Sequence, residues 1–542
     1  MQIAQARGRS ADGTGEARPH HSVVIVGAGP SGLMVADELA LAGITAVVLE
    51  SGPGPSPEPK ANALVGQVLR MLDMRGLYTR ITGTQKRPTK NTAFTFSGIP
   101  VPLQQVPHHP MYTEFIPQPK LIRHLVDRAE ELGVDIRWGH RLLEFDQRNE
   151  KVWLKAERGD EVVELTADIV VAADGARSVF RKQLGIGFPG TTHDTVGCGG
   201  QVSLPERNRT PDGGLEIPGV GKANLGHTRF EGGCLLLIEP QPGRTLMGTV
   251  EFRAPDGSRE VTFDEFRESV ARVVGTEIEF DVPPGPGPHA LRKIDGQNTR
   301  LADSYRSGNV FLVGDSAHVH SPMGGPGLNL ALQDAVNLAW KIAATVQGWA
   351  PADLLDTYFT ERHAVGERLM RHSMAQLALM SPGSEVTALR SLLEEVFAIP
   401  DVASYLAHMV GGGDVRYDTG DHHALAGFFV PDWTLDDGRQ VTDLLGQARP
   451  VLLDTADGTT GEVVAPWSDR IDVVVAPCGH APKAMLIRPD GYVAWAGDAG
   501  PDSHEALRCV VRRWFGEPSE NSGPLTAASK DQALDRQAAS TS

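Results

Sequence analysis

Three short stretches carry residues whose type and spacing could do chemistry. The first is Gly27-Ala28-Gly29-Pro30-Ser31-Gly32, a G-x-G-x-x-G run, with Glu50 following at close to the ~20-residue spacing of dinucleotide sites. In such a loop Gly27 makes the turn, Gly29 lets a pyrophosphate approach the backbone, and Gly32 lets helix and strand pack closely. Glu50 can accept hydrogen bonds from an adenosine ribose. The second stretch is Asp174-Gly175 and the third is Gly314-Asp315. After the third, a run rich in glycine and proline from Pro322 to Gly327 leads into a helix expected from Leu328 to about Val346. A helix start offers unpaired N–H groups and a partial positive charge, so something negative, or becoming negative, should sit there. A dehydrogenase that binds only NAD needs the first stretch alone. Three such turns together ask for one long, polar, two-part cofactor.

Each stretch needs a strand to deliver it, because open α/β sheets bind ligands beyond the carboxyl ends of their strands. Ser22–Val26, Ile169–Ala172 and Asn309–Val313 are short runs with β-branched residues that suit buried strands, and Thr45–Leu49 delivers Glu50 in the same way. Helices are expected over Lys60–Gly76 and Pro119–Leu132, and a small meander over Leu142–Gln147, Val152–Ala156 and Glu161–Thr166. From Thr191 to about Arg300 the pattern is mostly strands, with one helix near Phe263–Val274. Ala352–Phe397 reads as mostly helical, and after Gly411–Gly413 the strand pattern returns at Val451–Asp454, Ile471–Val475 and Ala484–Arg488. The expected architecture is α/β: a Rossmann-like cofactor domain over 22–190 that resumes over 301–412, an inserted sheet-rich domain over 191–300, and a C-terminal domain over 413–516. Residues 1–21 read as a leader and 517–542 as a polar tail, both without fixed structure.

Composition narrows the class. The 542 residues are 41% hydrophobic and 22% charged, which is globular, and a net charge of −17 argues against nucleic-acid binding through phosphate neutralisation. Cys198, Cys234, Cys478 and Cys509 are scattered, with no C-x-x-C pair, so no metal site or disulfide framework is expected and a reducing cytoplasm is the simplest home. No run reaches the ~18 apolar residues of a membrane span.

With the three turns in this order, the chain resembles the class A flavoprotein monooxygenases, the aromatic hydroxylases of the para-hydroxybenzoate hydroxylase type. It is most similar to the subgroup that tailors aromatic polyketides and related antibiotics and carries a thioredoxin-like C-terminal domain. The resemblance implies FAD as cofactor, NADPH or NADH and O2 as co-substrates, and a small aromatic substrate hydroxylated through a flavin C4a-hydroperoxide. Baeyer–Villiger or decarboxylative oxygenation by the same chemistry, and a non-oxygenating flavin-binding partner protein, are the alternatives; a monomer or homodimer is expected.

The resemblance also implies roles. Gly27, Gly29, Pro30, Ser31 and Gly32 match the pyrophosphate loop, Glu50 the ribose acid, and Asp174 and Gly175 the motif that serves FAD and NAD(P)H. Gly314 and Asp315 match the ribityl-binding turn. Pro322, Gly325, Gly327, Leu328 and Asn329 match the loop and helix start bordering the flavin ring, with Pro322 and Gly325 closest to the reacting atoms. Gln118 stands near the ribityl or phosphates. Two positions depart: Lys60 stands where an arginine usually meets the FAD phosphates, and Ser51 where a basic residue often follows the acid. His318 and His320 flank the flavin loop, but no acid–base residue is singled out. Phe94, Phe96, Met111, Tyr112 and His227 are candidates for the substrate site, with His108, His109 and His193 behind them. Arg177 and Arg181 are read as helix-surface charges or nucleotide contacts. Cys478 has no partner three residues away, so the C-terminal domain is expected to be a scaffold.

Overall fold

The β-branched runs that precede the three turns pair with one another. In the computed structural model, which describes residues 18–519 apart from 59, 242, 255–260, 286–288, 322 and 499, they form part of an eight-stranded sheet. Its parallel strands lie in the spatial order Val310–Leu312, Glu161–Ala172, His20–Val26, Ala46–Glu50 and Asp135–Trp138. Val23, Val24, Ile25, Val48, Val170, Val171 and Phe311 are fully buried, the continuous apolar character of a parallel sheet covered on both faces. Helices Pro30–Leu41 and Pro326–Val346 pack on each other, and Gln118–Glu131 packs beside the first.

Several elements differ from the sequence reading. Glu161–Thr166 and Ile169–Ala172 are one strand, Glu161–Ala172. Its first half pairs antiparallel with Lys151–Arg158 and its second half parallel with His20–Val26. The helix expected over Lys60–Gly76 is a two-residue strand, Leu64–Val65, and then a helix at Val68–Met74. Gly66 separates them at φ 82°, and a Cβ there would meet the Gly411 backbone at 2.5 Å. The helix expected from Leu328 starts at Pro326, where proline at the first position sacrifices no helical bond. The first strand starts at His20, inside the expected leader; 1–17 and 520–542 lie outside the described residues.

A second sheet has six strands. Its antiparallel strands are Gly226–Phe230, Gly233–Gln241, Arg244–Glu251, Gly190–Val202 and Arg292–Leu301, closed by His318–Val319 from the cofactor domain. One face buries Val196, Cys198, Leu235, Leu237 and Met247 against Phe266, Val270 and Val273 of helix Phe263–Val274. Thr262 and Glu265 form a capping box at that helix start.

Helices Thr357–Met380, Ser384–Phe397 and Pro400–Gly411 lead to the C-terminal domain, a four-stranded sheet backed by helix Pro501–Phe515. The thioredoxin-like character of this ending agrees with its mixed sheet, where Val451–Asp454 pairs parallel with Asp472–Val475 and antiparallel with Ala484–Ile487. A buried charge network joins it to the rest. Arg488 donates to Glu361 and Asp490, and Lys341 donates to Glu361 at 2.7 Å and to Asn337 at 2.9 Å. Arg488 also lies over the Trp514 and Trp340 rings at 4.5 and 5.2 Å. All four cysteines are free thiols. Among the described residues no helix is long and apolar enough to cross a membrane, and no cluster of His, Cys, Asp and Glu could hold a metal ion.

Candidate functional site

Strand register brings the three turns to one edge. Val26 pairs with Ala172, and Ala172 with Leu312, so the strands carrying Gly27, Asp174 and Gly314 end side by side. Backbone bonds from Ala173 to Val26 and from Val313 to Ala172, 2.8 and 3.1 Å, hold that alignment past the last paired residues.

The glycines there do different work. A Cβ on Gly27 would lie 2.3 Å from the Ala173 carbonyl oxygen, and one on Gly32 2.0 Å from that of Gly27, so both permit close packing of protein on protein. A Cβ on Gly29 would meet nothing within 4 Å: this glycine faces open space at the start of helix Pro30–Leu41. The Glu50 carboxylate accepts from the Ala28 N–H at 2.8 Å and the Gly52 N–H at 2.7 Å, and Ser51 Oγ donates to it at 3.1 Å. Gly314, at φ 62°, leaves room for Ser31, whose Oγ would stand 2.3 Å from a Cβ there. The first and third turns therefore touch.

Ser178 caps the short helix Val179–Gln183, and Asp174 Oδ2 accepts from its first N–H, that of Val179, at 2.6 Å, while Asp174 Oδ1 is buried with no partner among the described residues. Burial raises its carboxyl above the ordinary range against those hydrogen bonds. Arg177 is exposed and Arg181 is not. Arg181 donates to the Ser316 and Ala176 carbonyls at 2.7 and 2.8 Å and lies over the Phe188 ring at 3.7 Å, tying the second turn to the third.

Asp315 keeps an accessible surface yet has protein on almost every side, the position of a group lining a cleft. Desolvation raises its carboxyl, and His318 and Lys60 pull the other way. Lys60 is otherwise exposed and lies 3.5 Å from Glu58. Gln118 begins helix Gln118–Glu131, its N–H on the Ala61 carbonyl at 2.8 Å.

Beyond Asp315, His318 is fully buried against Asp334. His320 Nδ1 donates to the Ser321 carbonyl at 3.1 Å, and its ring lies so close to Gly327 that a Cβ there would come within 2.9 Å of it. Desolvation, then His318, lowers its pKa to about 4, so it is neutral near pH 7. Gly325 caps helix Pro326–Val346 at φ 64° and, like Gly29, faces open space. Asn329 spends its side chain on protein, accepting from Val65 N–H and donating to the Gly325 carbonyl, both 2.9 Å. Leu328 packs at the margin of the main core. Pro322 lies outside the described residues.

The substrate-site candidates divide. Phe96 and Met111 are buried in a core shared with Phe397 and Leu406, where Phe96 meets Phe397 edge-on at 5.9 Å; Phe94 packs at its margin. Tyr112 is buried in the main core with its hydroxyl 3.2 Å from Asp432. Of the weaker candidates, His109 is buried and bonded within its own loop to Met111 N–H, while His193 lies on the strand Gly190–Val202. His227 is half-buried, and its side chain makes no hydrogen bond with any described residue. Missed from sequence were the residues that fix the loop from behind, Asp334 and Arg362, which look like ordinary helix charges until the helices pack.

FAD fits this edge by the structure's own features. Two glycines without a Cβ neighbour, Gly29 and Gly325, mark open space at two helix starts. An accessible acid, Asp315, stands in the third turn on the same sheet edge. Phosphates at the first helix start and a pyrimidine edge at the second would each meet N–H groups and a positive dipole end.

Known proteins agree with that fit. Residues 20–373 match the FAD binding domain family, and residues 423–518 match the aromatic-ring hydroxylase C-terminal family. The chain is 35% identical over 516 residues to the 12-dehydrotetracycline 5-monooxygenase/anhydrotetracycline 6-monooxygenase of Streptomyces rimosus, covering 92% of this chain and 99% of that one. It is 34% identical to a dialkyldecalin synthase of Streptomyces rugosporus, covering 91% and 99%. Among solved structures, the OxyS anhydrotetracycline hydroxylase from Streptomyces rimosus superposes with a TM-score of 0.80 at 32% identity, covering 92% of this chain and 100% of that one. The fold, the cofactor edge and these matches place the chain in the family of FAD-binding aromatic-ring hydroxylases, and it is a FAD-dependent monooxygenase.

Proposed function

We propose that the enzyme uses NADPH or NADH and O2 to hydroxylate an electron-rich polycyclic aromatic compound of the polyketide type. One observation carries this reading: an apolar, half-open sheet face stands against the flavin loop. Cys234 and Val250 of that face pack with Met323 of the loop and with Leu377 and Met380. Anhydrotetracycline, named for the relative from Streptomyces rimosus, is a fused-ring compound of the kind such a face suits.

Bound FAD would supply the redox chemistry, taking hydride from the nicotinamide and activating oxygen. The chain's own part is to hold and to shield. Gly29 and the start of helix Pro30–Leu41 take the pyrophosphate, Glu50 the ribose, and Asp315 the ribityl hydroxyls. Gly325, Gly327 and Leu328 present the second helix start to the charge that a reduced ring carries. Arg181, through Ser316, keeps the third turn aligned with the second. The neutral His320 puts no positive charge beside that helix start. Free thiols and a need for NAD(P)H suit the cytoplasm, and a monomer or homodimer suffices because every turn comes from one chain.

A second reading rests on the similarity to the dialkyldecalin synthase: a flavin-holding scaffold that shapes a substrate without oxygenating it. The test is a panel of aromatic polyketides offered to the FAD-loaded protein with NADPH. Substrate-stimulated NADPH oxidation and a product heavier by one oxygen atom are expected. FAD uptake with neither effect transfers the assignment to the scaffold reading, and failure to take up FAD overturns both.

A further inference from the structure

The face of the six-stranded sheet turned away from helix Phe263–Val274 carries a continuous cross-strand row. His227 pairs with Leu236, Leu236 with Gly248, Gly248 with Gly199, and Gly199 with Arg292. Directly paired residues point to the same face of a sheet. Their neighbours Leu235, Leu237, Met247 and Cys198 are sealed against the helix, so this row lies on the opposite face. There Leu236, Gly248 and Gly199 are only half-buried.

The middle of the row has no side chains. The nearest atoms to a Cβ on Gly248 would be Cys198 O at 3.5 Å and the Leu236 side chain at 3.8 Å, and to one on Gly199 the Met247 carbonyl at 3.0 Å and Gly248 Cα at 3.3 Å. All these nearest neighbours belong to the sheet itself, and both glycines keep accessible surface. The adjacent row on the same face, Cys234 with Val250 and Val250's neighbour Gly197, packs under Met323 of the flavin loop. The trough therefore lies beside the row that meets Met323. At ~4.8 Å per strand it runs about 19 Å from His227 to Arg292.

His227 closes one end. Its strand is clamped: Arg229 donates to the Ser381 and Gly383 carbonyls at 2.8 and 3.0 Å, and the Gly98 backbone is pressed against the His227 carbonyl, leaving a Cβ on Gly98 only 2.4 Å from it. The ring is half-buried and has no hydrogen-bond partner among the described residues. Desolvation lowers its pKa to about 4, so near pH 7 it is a neutral imidazole with one donor and one acceptor nitrogen. Neither ring nitrogen is sealed off by protein, so a ligand oxygen can reach them.

We propose that this trough is the specificity element of the substrate site: a flat, fused-ring aromatic lies on the Gly248–Gly199 floor, and His227 hydrogen-bonds a hydroxyl or carbonyl oxygen at its outer end. This rests on the hydroxylase reading and adds the shape and one polar handle of the substrate. A single-ring phenol reaches the flavin without using the trough.

The experiment titrates FAD-loaded protein with a hydroxyanthraquinone, the parent anthraquinone and phenol, following the flavin spectrum. Gly248→Val puts a branched side chain onto the floor at a position with ordinary contact distances and no positive φ, so the strand accommodates it. It is expected to weaken hydroxyanthraquinone binding tenfold or more and to leave phenol binding unchanged. His227→Ala is expected to weaken the hydroxyanthraquinone about tenfold and the parent anthraquinone far less. Unchanged affinities in both variants, with wild-type binding and turnover intact, overturn the trough and leave the hydroxylase reading standing. A wild-type holoenzyme that neither binds the fused-ring probes nor oxidises NADPH faster in the presence of any aromatic compound overturns both.

Discussion

His318 Nε2 lies 2.7 Å from Asp334 Oδ2, and both side chains are fully buried. Asp334 is on helix Pro326–Val346 and His318 is on the strand entering the flavin loop, so this pair sets where the loop stands relative to the helix start. Arg362 donates to the other carboxylate oxygen at 2.7 Å and to Tyr417 Oη at 2.8 Å. Burial alone would raise the Asp334 carboxyl, but Arg362 and His318 outweigh it and hold it below the ordinary range. Asp334 is thus ionised, and His318 Nε2–H donates to it.

Asp334→Asn should therefore leave Arg362 as a buried charge without its counter-ion. The expected loss is about 3–5 kcal/mol of stability, the size seen when one partner of a buried pair is removed. A urea denaturation midpoint unchanged from wild type would contradict it.

The pyrophosphate glycines should separate by function. Gly32→Ala forces a Cβ to 2.0 Å from the Gly27 carbonyl oxygen, so the apoprotein itself should melt lower. Gly29→Ala meets no protein atom, so the apoprotein should melt normally while FAD binds at least tenfold more weakly, ~1.4 kcal/mol or more. Apoprotein melting and FAD titration on both variants check the contrast.

Asp315→Ala removes the acid of the third turn without disturbing packing, since Asp315 has an accessible surface and its side chain makes no hydrogen bond to a described residue. Flavin content after gel filtration should fall, with FAD affinity down on the order of tenfold, ~1.4 kcal/mol. Full flavin retention would remove Asp315 from the cofactor site.

The C-terminal domain should loosen in acid. Glu361 is fully buried, yet Arg488 and Lys341 together hold its carboxyl well below the ordinary carboxylate range. A depressed folded pKa means the contribution is present above the unfolded value of ~4.3 and is lost as pH falls below it. Limited proteolysis should then cut more readily near residues 411–424 as the pH is lowered from 5 toward ~3. Arg488→Met should produce the same cutting at neutral pH, because it leaves Glu361 and Asp490 buried without their main counter-ion.

The three ligand turns were legible in the chain because their requirements are local. A positive φ at Gly314, a Cβ-free approach at Gly27 and Gly32, and an acid after a buried strand are each written in a few adjacent residues. Helix Phe263–Val274 was legible for the same reason, its capping box and apolar face both being short-range. Residue type alone could not separate pocket wall from core: Phe96, Met111 and Tyr112 have the same apolar character in either place, and burial depends on what folds over them.

What the tertiary structure decided is non-local pairing. The register Val26–Ala172–Leu312 joins residues far apart in sequence and turns three separate motifs into one edge. The row from His227 to Arg292 exists only because strand register aligns it, since a shift of one residue would send every side chain to the other face. His318 and Asp334, like Arg488 and Glu361, find each other only when helices pack and bury their charges. Sequence by itself determined that a dinucleotide cofactor binds, because the turns that signal it are local. Structure decided which sheet face packs against Met323, because that is a property of faces brought together at long range.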